Sequence, residues 1–246
     1  MTLKKSYLLP NLFTTGNMFC GFYSIISALS GNFSTAAWSL IVAMFFDAMD
    51  GRVARLTKST SSFGMEYDSL ADLLSFGVAP ALISYLWCLK PYGRLGWLAA
   101  FIYLVCAALR LARFNTNIQV VPKKYFQGMP SPLAAALIAT GVLFFSNVTI
   151  PNLPQEIFTL SLLLLAGSLM VSTLRFPSFK EFKVKKENSF GVLAVGVLVF
   201  ILIASHPETV LFVIASSYTL VGIFMNLYRV LLNKQTNSLV IDENVK

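Results

Sequence analysis

Apolar runs long enough to cross a hydrocarbon core recur from one end of this chain to the other, each closed by a short polar or basic stretch. A bilayer core takes roughly 20 helical residues to cross. It offers no water to a bare N–H or C=O, so a spanning segment of this kind closes its own backbone hydrogen bonds as a helix. Only 12% of the residues are charged, about half the share found in a soluble domain. The sequence therefore predicts an all-α polytopic membrane protein with about eight transmembrane helices. The spans read as Leu8–Ser30, Thr35 to about Arg55, about Gly64–Leu89, Leu95–Phe114, about Ser131–Val148, about Ile157–Leu174, Phe190–Ser205 and Thr209–Leu232. Gly77 and Pro80 predict a bend in the third. No internal repeat divides the chain, which reads as one membrane-embedded domain over residues 1–246 with a frayed polar tail from about Asn233. Lys4 and Lys5 ahead of an apolar run resemble the start of a signal peptide, but the run is too long and lacks a small-residue cleavage site.

The formal net charge is +8. Its carriers lie between the spans, so they read as topology signals and lipid-headgroup contacts and argue against nucleic acid as a partner. With eight spans, Lys90 and Arg94 fall on one side. The other basic groups, from Lys4 and Lys5 through Arg110, Arg113, Lys123 and Lys124 to Lys234, fall opposite. That bias predicts a cell-membrane protein with both termini in the cytoplasm. Arg52, Lys58 and the Lys183–Lys186 group read as anchors or contacts to anionic lipid. Cys20, Cys88 and Cys106 stand singly in or beside apolar runs and read as packing residues.

Against this background the stretch DAMDGRVARLTKSTSSFGMEYDSLAD, from Asp47 to Asp72, is unusual. Asp47 and Asp50 are three residues apart and Asp68 and Asp72 four apart, so each pair projects from one face of its own helix. Four carboxylates brought together at low dielectric repel one another and either take up protons or collect cations. Oxygen-only ligands suit Mg²⁺, Mn²⁺ or Ca²⁺ and not zinc. Gly51 and Ala54 remove bulk from the helix between the pairs, so a large or flat group can approach the backbone. Arg55 offers a fork of donors suited to phosphate. Together these features describe a pyrophosphate site at the cytoplasmic ends of the second and third spans.

The full spacing, D-x2-D-G-x2-A-R-x8-G-x3-D-x3-D, is filled by Asp47, Asp50, Gly51, Ala54, Arg55, Gly64, Asp68 and Asp72. It resembles the signature of the CDP-alcohol phosphotransferase family at every defining position. Four further stretches, LPNLFTTGNMFCGF, ALRLARFN, YFQGMPSP and LMVSTLRFPSFK, resemble the branch of that family whose acceptor is L-serine. The resemblance implies the family's membrane fold and transfer of a phosphatidyl group from CDP-diacylglycerol to the serine hydroxyl, with CMP leaving. It implies two divalent ions, Mg²⁺ or Mn²⁺, held by Asp47, Asp50, Asp68 and Asp72, with Asp72 as the proton acceptor. Gly51, Ala54, Arg55, Ser61 and Gly64 match its nucleotide and phosphate contacts, and Pro10, Asn11 and Thr14 flank the cytidine. Pro10 equally suits a helix start, and Asn11 and Thr14 suit helix caps. A homodimer is implied as well.

Serine needs a cation for its carboxylate and an acceptor for its ammonium. Arg110 and Arg113 lie one turn apart at the cytoplasmic end of the fourth span, followed by Asn115, and Gln127 precedes the fifth. Both arginines also suit plain positive-inside anchoring. Glu66 is an acid outside the metal pattern and suits the ammonium. Two other readings fit part of the pattern: glycerol phosphate or inositol phosphate as acceptor, which would want a denser basic pocket, and a divalent-cation transporter. The transporter reading predicts acids near mid-membrane on several helices, whereas these cluster at one end of two.

Overall fold

The computed structural model describes residues 8–57, 61–116, 125–148, 154–177 and 189–243. Its first helix, α1 (Leu8–Leu29), carries Pro10 in the opening turn, where a missing N–H breaks no helical bond. α1 buries Pro10, Thr14, Asn17, Gly21, Ser24 and Ala28. These are alternately four and three residues apart, so they form one straight seam. A tight turn leads to α2 (Phe33–Leu56), which answers with Ala36, Ala37, Leu40 and Ala43, all fully buried. Small residues on both sides bring the backbones close, the packing device that remains where lipid removes the hydrophobic drive between helices. Ser24 Oγ reaches across to the Ala36 carbonyl at 2.7 Å.

The third span, Ser62–Tyr92, is helical throughout but not uniform. α3 (Ser62–Asp72) passes into a wide π turn at Leu73–Val78, then α4 (Ala79–Ser84) and a second π turn at Tyr85–Leu89. The disturbance centres where Gly77 and Pro80 predict it. Pro80 has no N–H to give the carbonyl of Phe76, four residues earlier. The Tyr103 hydroxyl of α5 (Arg94–Thr116) donates to that carbonyl instead, at 3.0 Å, and both side chains are fully buried. One residue before Phe76, the Ser75 hydroxyl donates to the Asn17 carbonyl of α1 at 3.0 Å. Gly21 faces this turn so closely that a Cβ would lie 2.2 Å from Ser75 Oγ. No side chain fits there.

α6 (Ser131–Asn147) is the core helix, buried on most of its surface and packed on α2, α7 (Gln155–Val171) and α9 (Pro207–Glu243). α8 (Ser189–Ser205) packs against α9. Large apolar side chains point outward instead of inward, among them Phe101 and Leu109 of α5 and Leu220 and Phe224 of α9. An exterior of this kind is what lipid solvates.

The architecture is the all-α, multi-pass membrane one that the sequence predicts. Among the described residues, five helical stretches are long and apolar enough to cross a membrane. The fifth to seventh expected spans appear as α6, α7 and α8, apolar but only 17 residues each, about 25 Å of helix. Proline sets the start of two of them: Pro130 immediately precedes α6 and Pro154 immediately precedes α7. α9 continues as helix to Glu243, past the Asn233 at which fraying is expected. Two three-residue strands were not expected. β1 (Tyr125–Gln127) and β2 (Arg175–Pro177) pair antiparallel with Gln127 opposite Arg175. Asn226 of α9 fastens β2, accepting from the Arg175 N–H and donating to its carbonyl, both at 2.9 Å.

Candidate active site and metal centre

Asp47, Asp50, Gly51 and Ala54 occupy one face of the last turns of α2. α3 opens opposite them. Ser61 caps it, its Oγ accepting from the Gly64 N–H at 3.0 Å, and this satisfies one of the N–H groups a helix start leaves bare. The cap fixes the direction in which α3 leaves, so that Gly64 and Asp68, one turn apart, both face α2. Carboxylate oxygens of Asp47, Asp50 and Asp68 come within 4.8 Å of one another. Carboxylates this close need a cation or a proton between them.

α1 supplies the neutral donors. Thr14 Oγ1 donates to Asp50 Oδ2 at 3.0 Å, and one turn further on Asn17 Nδ2 donates to Asp72 Oδ1 at 3.2 Å. Both α1 residues are buried. Asp68 Oδ1 is buried with no hydrogen-bond partner. An orphaned anionic oxygen beside two other carboxylates, with only oxygen donors present, fits a hard divalent cation. The residues present therefore suit the metal that the motif implies. Asp72 lies outside the compact trio and turns one oxygen to Asn17, which sets it apart from the other three.

A cavity of about 190 Å³ opens beside the carboxylates. Pro10, Asn11 and Thr14 line it from α1, Asp50, Gly51, Ala54 and Arg55 from α2, and Ser61, Gly64, Met65 and Asp68 from α3. All eight residues expected to meet nucleotide and phosphate are thus brought to one wall. At Gly51, where room is expected, a Cβ would meet only Arg55 Nη1 at 3.8 Å, whereas one at Gly64 would lie 3.1 Å from Ser61 Oγ and 3.6 Å from Asn11 Oδ1. Met65 is an addition that no sequence signal marks, because a methionine on a helix ordinarily reads as packing.

The residues expected to meet serine divide. Arg110 lies within electrostatic range of Asp72 and Asp47 from α5, and its Nη1 donates to Ser131 Oγ at 2.7 Å. Asn115 joins α5 to α3, donating to Ser69 Oγ at 2.9 Å beside Asp68. Arg113, only one turn from Arg110, is committed elsewhere. Its guanidinium donates to the carbonyls of Met170, Val171 and Ser172 at the end of α7 and to that of Gln127. Those carbonyls are left over where α7 ends, and an arginine fork satisfies several at once. Its donors serve backbone, which is a correction to its reading as a carboxylate contact. Glu66 is exposed on α3, and the Gln127 side chain is exposed too, its carbonyl held by Arg113. Lys58, Lys123, Lys124 and the Lys183–Lys186 group lie outside the described residues. Asn17 and Ser131 are the functional side chains that sequence reading missed. Asn17 was findable, since it stands three residues after Thr14 on the buried seam.

The sequence profile described as CDP-alcohol phosphatidyltransferase matches residues 7–174, which hold every residue of this site. The chain belongs to that family. It is 38% identical over 241 residues to a CDP-diacylglycerol--serine O-phosphatidyltransferase of Helicobacter pylori, covering 97% of this chain and 100% of the relative. A Bacillus subtilis protein of the same description is 35% identical over 173 residues, 70% of this chain and 92% of its own length. One from Saccharomyces cerevisiae is 38% identical over 157 residues, 56% of this chain and 54% of its own. As a CDP-alcohol phosphatidyltransferase, the chain has its carboxylates on α2 and α3, the two elements that carry the signature, with α1 completing the cavity.

Proposed function

We propose that this chain transfers the phosphatidyl group of CDP-diacylglycerol to the hydroxyl of L-serine, giving phosphatidylserine and CMP. The observation that carries the reading is the meeting, in one cavity, of a small-residue floor, a phosphate-suited arginine and two carboxylates, Asp50 and Asp68, with Asp47 close to both. The description of relatives matched over nearly the whole chain supports serine as the acceptor.

The residues divide the work. Gly51 and Ala54 give the nucleotide room against α2, with Pro10, Asn11 and Thr14 opposite on α1, and Arg55 meets phosphate from the rim. When bound, two Mg²⁺ or Mn²⁺ ions held by Asp47, Asp50, Asp68 and Asp72 would neutralise the pyrophosphate and the charge on the entering and leaving oxygens. The serine oxygen attacks the phosphorus that carries diacylglycerol. The new O–P bond forms as the bridging P–O bond to CMP breaks, and CMP leaves with the electron pair. A hydroxyl is a weak nucleophile at neutral pH, and Asp72 accepts its proton. The hydrogen bond from Asn17 holds one Asp72 oxygen, which fixes the carboxylate's orientation.

The site faces the cytoplasm of a cell membrane, by the excess of basic residues around it, and so draws one substrate from cytosol and one from lipid. Arg52, Lys58 and the Lys183–Lys186 group meet anionic lipid, one catalytic domain spans the chain, and two chains form a dimer. The test is an assay of purified protein in lipid with labelled L-serine, CDP-diacylglycerol and Mn²⁺ or Mg²⁺. Equal amounts of phosphatidylserine and CMP are expected. Consumption of glycerol phosphate or inositol phosphate in place of serine would overturn the acceptor, and release of no CMP with any alcohol would overturn the reaction.

A further inference from the structure

Three buried side-chain atoms among the described residues lack a hydrogen-bond partner: Asn17 Oδ1, Asp68 Oδ1 and Arg110 Nε. Burying a polar atom unpaired is costly, and a folded chain keeps few such atoms. Asp68 Oδ1 belongs to the carboxylate trio. The other two lie outside it and share a neighbour. Asn17 donates to Asp72 Oδ1 through its amide nitrogen, which leaves its amide oxygen free. Arg110 is a charge partner of the same Asp72, and Ser131 holds one of its terminal nitrogens, which leaves Nε free.

One unpaired acceptor on the amide that holds Asp72, and one unpaired cationic donor within electrostatic range of Asp72, therefore accompany the group proposed to take the hydroxyl proton. Their complement is a small molecule carrying a hydroxyl, an ammonium and a carboxylate. The other candidates for this task are spent or remote: Arg113 caps α7, and the Glu66 and Gln127 side chains are exposed. We infer that Asn17 and Arg110 form the acceptor subsite, Asn17 Oδ1 receiving the ammonium and Arg110 the carboxylate of an amino-acid alcohol, with Ser131 positioning Arg110. The inference rests on serine being the acceptor. It also explains why the α1 seam carries an amide at this point. A carboxylate at position 17 would attract the ammonium more strongly but would add a fifth negative charge against Asp72. A neutral amide accepts from the ammonium and donates to Asp72 with the same side chain.

Two truncated acceptors separate the two contacts. 3-Hydroxypropionate is serine without its ammonium, and ethanolamine is serine without its carboxylate. Full-length wild type, Asn17→Ala, Asn17→Ser, Arg110→Gln and Ser131→Ala are compared in lipid nanodiscs with Mn²⁺, each alcohol competing for CDP-diacylglycerol. Loss of one bond to a charged group predicts a tenfold to hundredfold rise in KM for L-serine, on the order of the cost of such a bond. For both Asn17 variants the preference for serine over 3-hydroxypropionate falls by that factor, while the preference over ethanolamine holds. Arg110→Gln shows the reverse, and Ser131→Ala follows it more weakly. KM for CDP-diacylglycerol and Mn²⁺ affinity, read by titration, stay near wild type. The inference is overturned if both preferences fall together in each variant, if neither moves, or if Mn²⁺ affinity falls in step with activity. Should neither Asn17 variant fold, the crossed preference of Arg110→Gln decides. Wild type that makes no phosphatidylserine sinks the serine reading itself, whereas wild type that makes it while the variants keep both preferences sinks only the subsite.

Discussion

The α1–α2 seam has two halves built on one spacing and filled with different chemistry. In the half remote from the site, Gly21, Ser24 and Ala28 meet Ala36, Ala37, Leu40 and Ala43, and small size brings backbone against backbone. In the other half the same rows continue as Pro10, Thr14 and Asn17 against Asp47, Asp50 and Ala54, and the space beside them becomes a cavity. The first half is tight and satisfied; the second holds the unpaired Asn17 Oδ1, at a cost of roughly 1–3 kcal/mol. The close-packed half fixes the distance at which the polar half must stand, so the aspartates cannot spread apart to relieve their repulsion. That repulsion is what a divalent cation would relieve.

If this division is right, substitutions in the polar half lose chemistry and those in the packed half lose stability. The largest effect is expected from Asp68→Asn, which removes a charged ligand at nearly constant volume. Turnover should fall to background and Mn²⁺ titration should lose its saturable binding, with membrane insertion intact. Near-normal activity at saturating Mg²⁺ and Mn²⁺ would end the metal assignment. Asp72→Asn should reduce kcat by about 10² to 10⁴, the worth of a general base, while CDP-diacylglycerol still binds. Equal losses in kcat and lipid affinity would make Asp72 a ligand only. Gly21→Val tests the other half. With no room for a Cβ, it should cost about 1–3 kcal/mol or more, seen as a lowered melting temperature, with the folded fraction still active. A variant that melts normally but turns over slowly would erase the distinction between the halves. The smallest effect on chemistry is expected from Arg113→Ala. It should destabilise by roughly 1–3 kcal/mol through the α7 carbonyls and leave KM for serine within about twofold, in contrast to Arg110 one turn away. A large, selective rise in that KM would return Arg113 to the acceptor site.

Much of the polar half is legible in sequence because charge inside an apolar run has few innocent explanations. Asp47, Asp50, Asp68, Gly51, Ala54, Arg55 and the early Pro10, Asn11 and Thr14 all converge on one place. Asn17 escaped because a single amide in a helix that already has a charged partner set nearby carries no compositional signal; only its register with Thr14 betrays it. Arg110 and Arg113 were indistinguishable, since spacing along α5 says nothing about which one meets the free carbonyls of α7. The β1–β2 pairing was hidden for a related reason. Its two strands are three residues long, and the bonds that hold β2 come from Asn226, about fifty residues further along the chain.

The hydroxyl that Tyr103 lends to the proline kink also works as a gauge. Phe76 lies one helical turn from Asp72, and Tyr103 lies two turns from Arg110 on the same face of α5. Pinning Phe76 to Tyr103 therefore calibrates how far α5 has travelled when it draws level with Asp72. Each residue of slip along the helix would carry the guanidinium about 1.5 Å past its mark, enough to part it from Ser131. A backbone carbonyl that proline leaves bare, one turn from Asp72, thus keeps the tolerance of the reacting end.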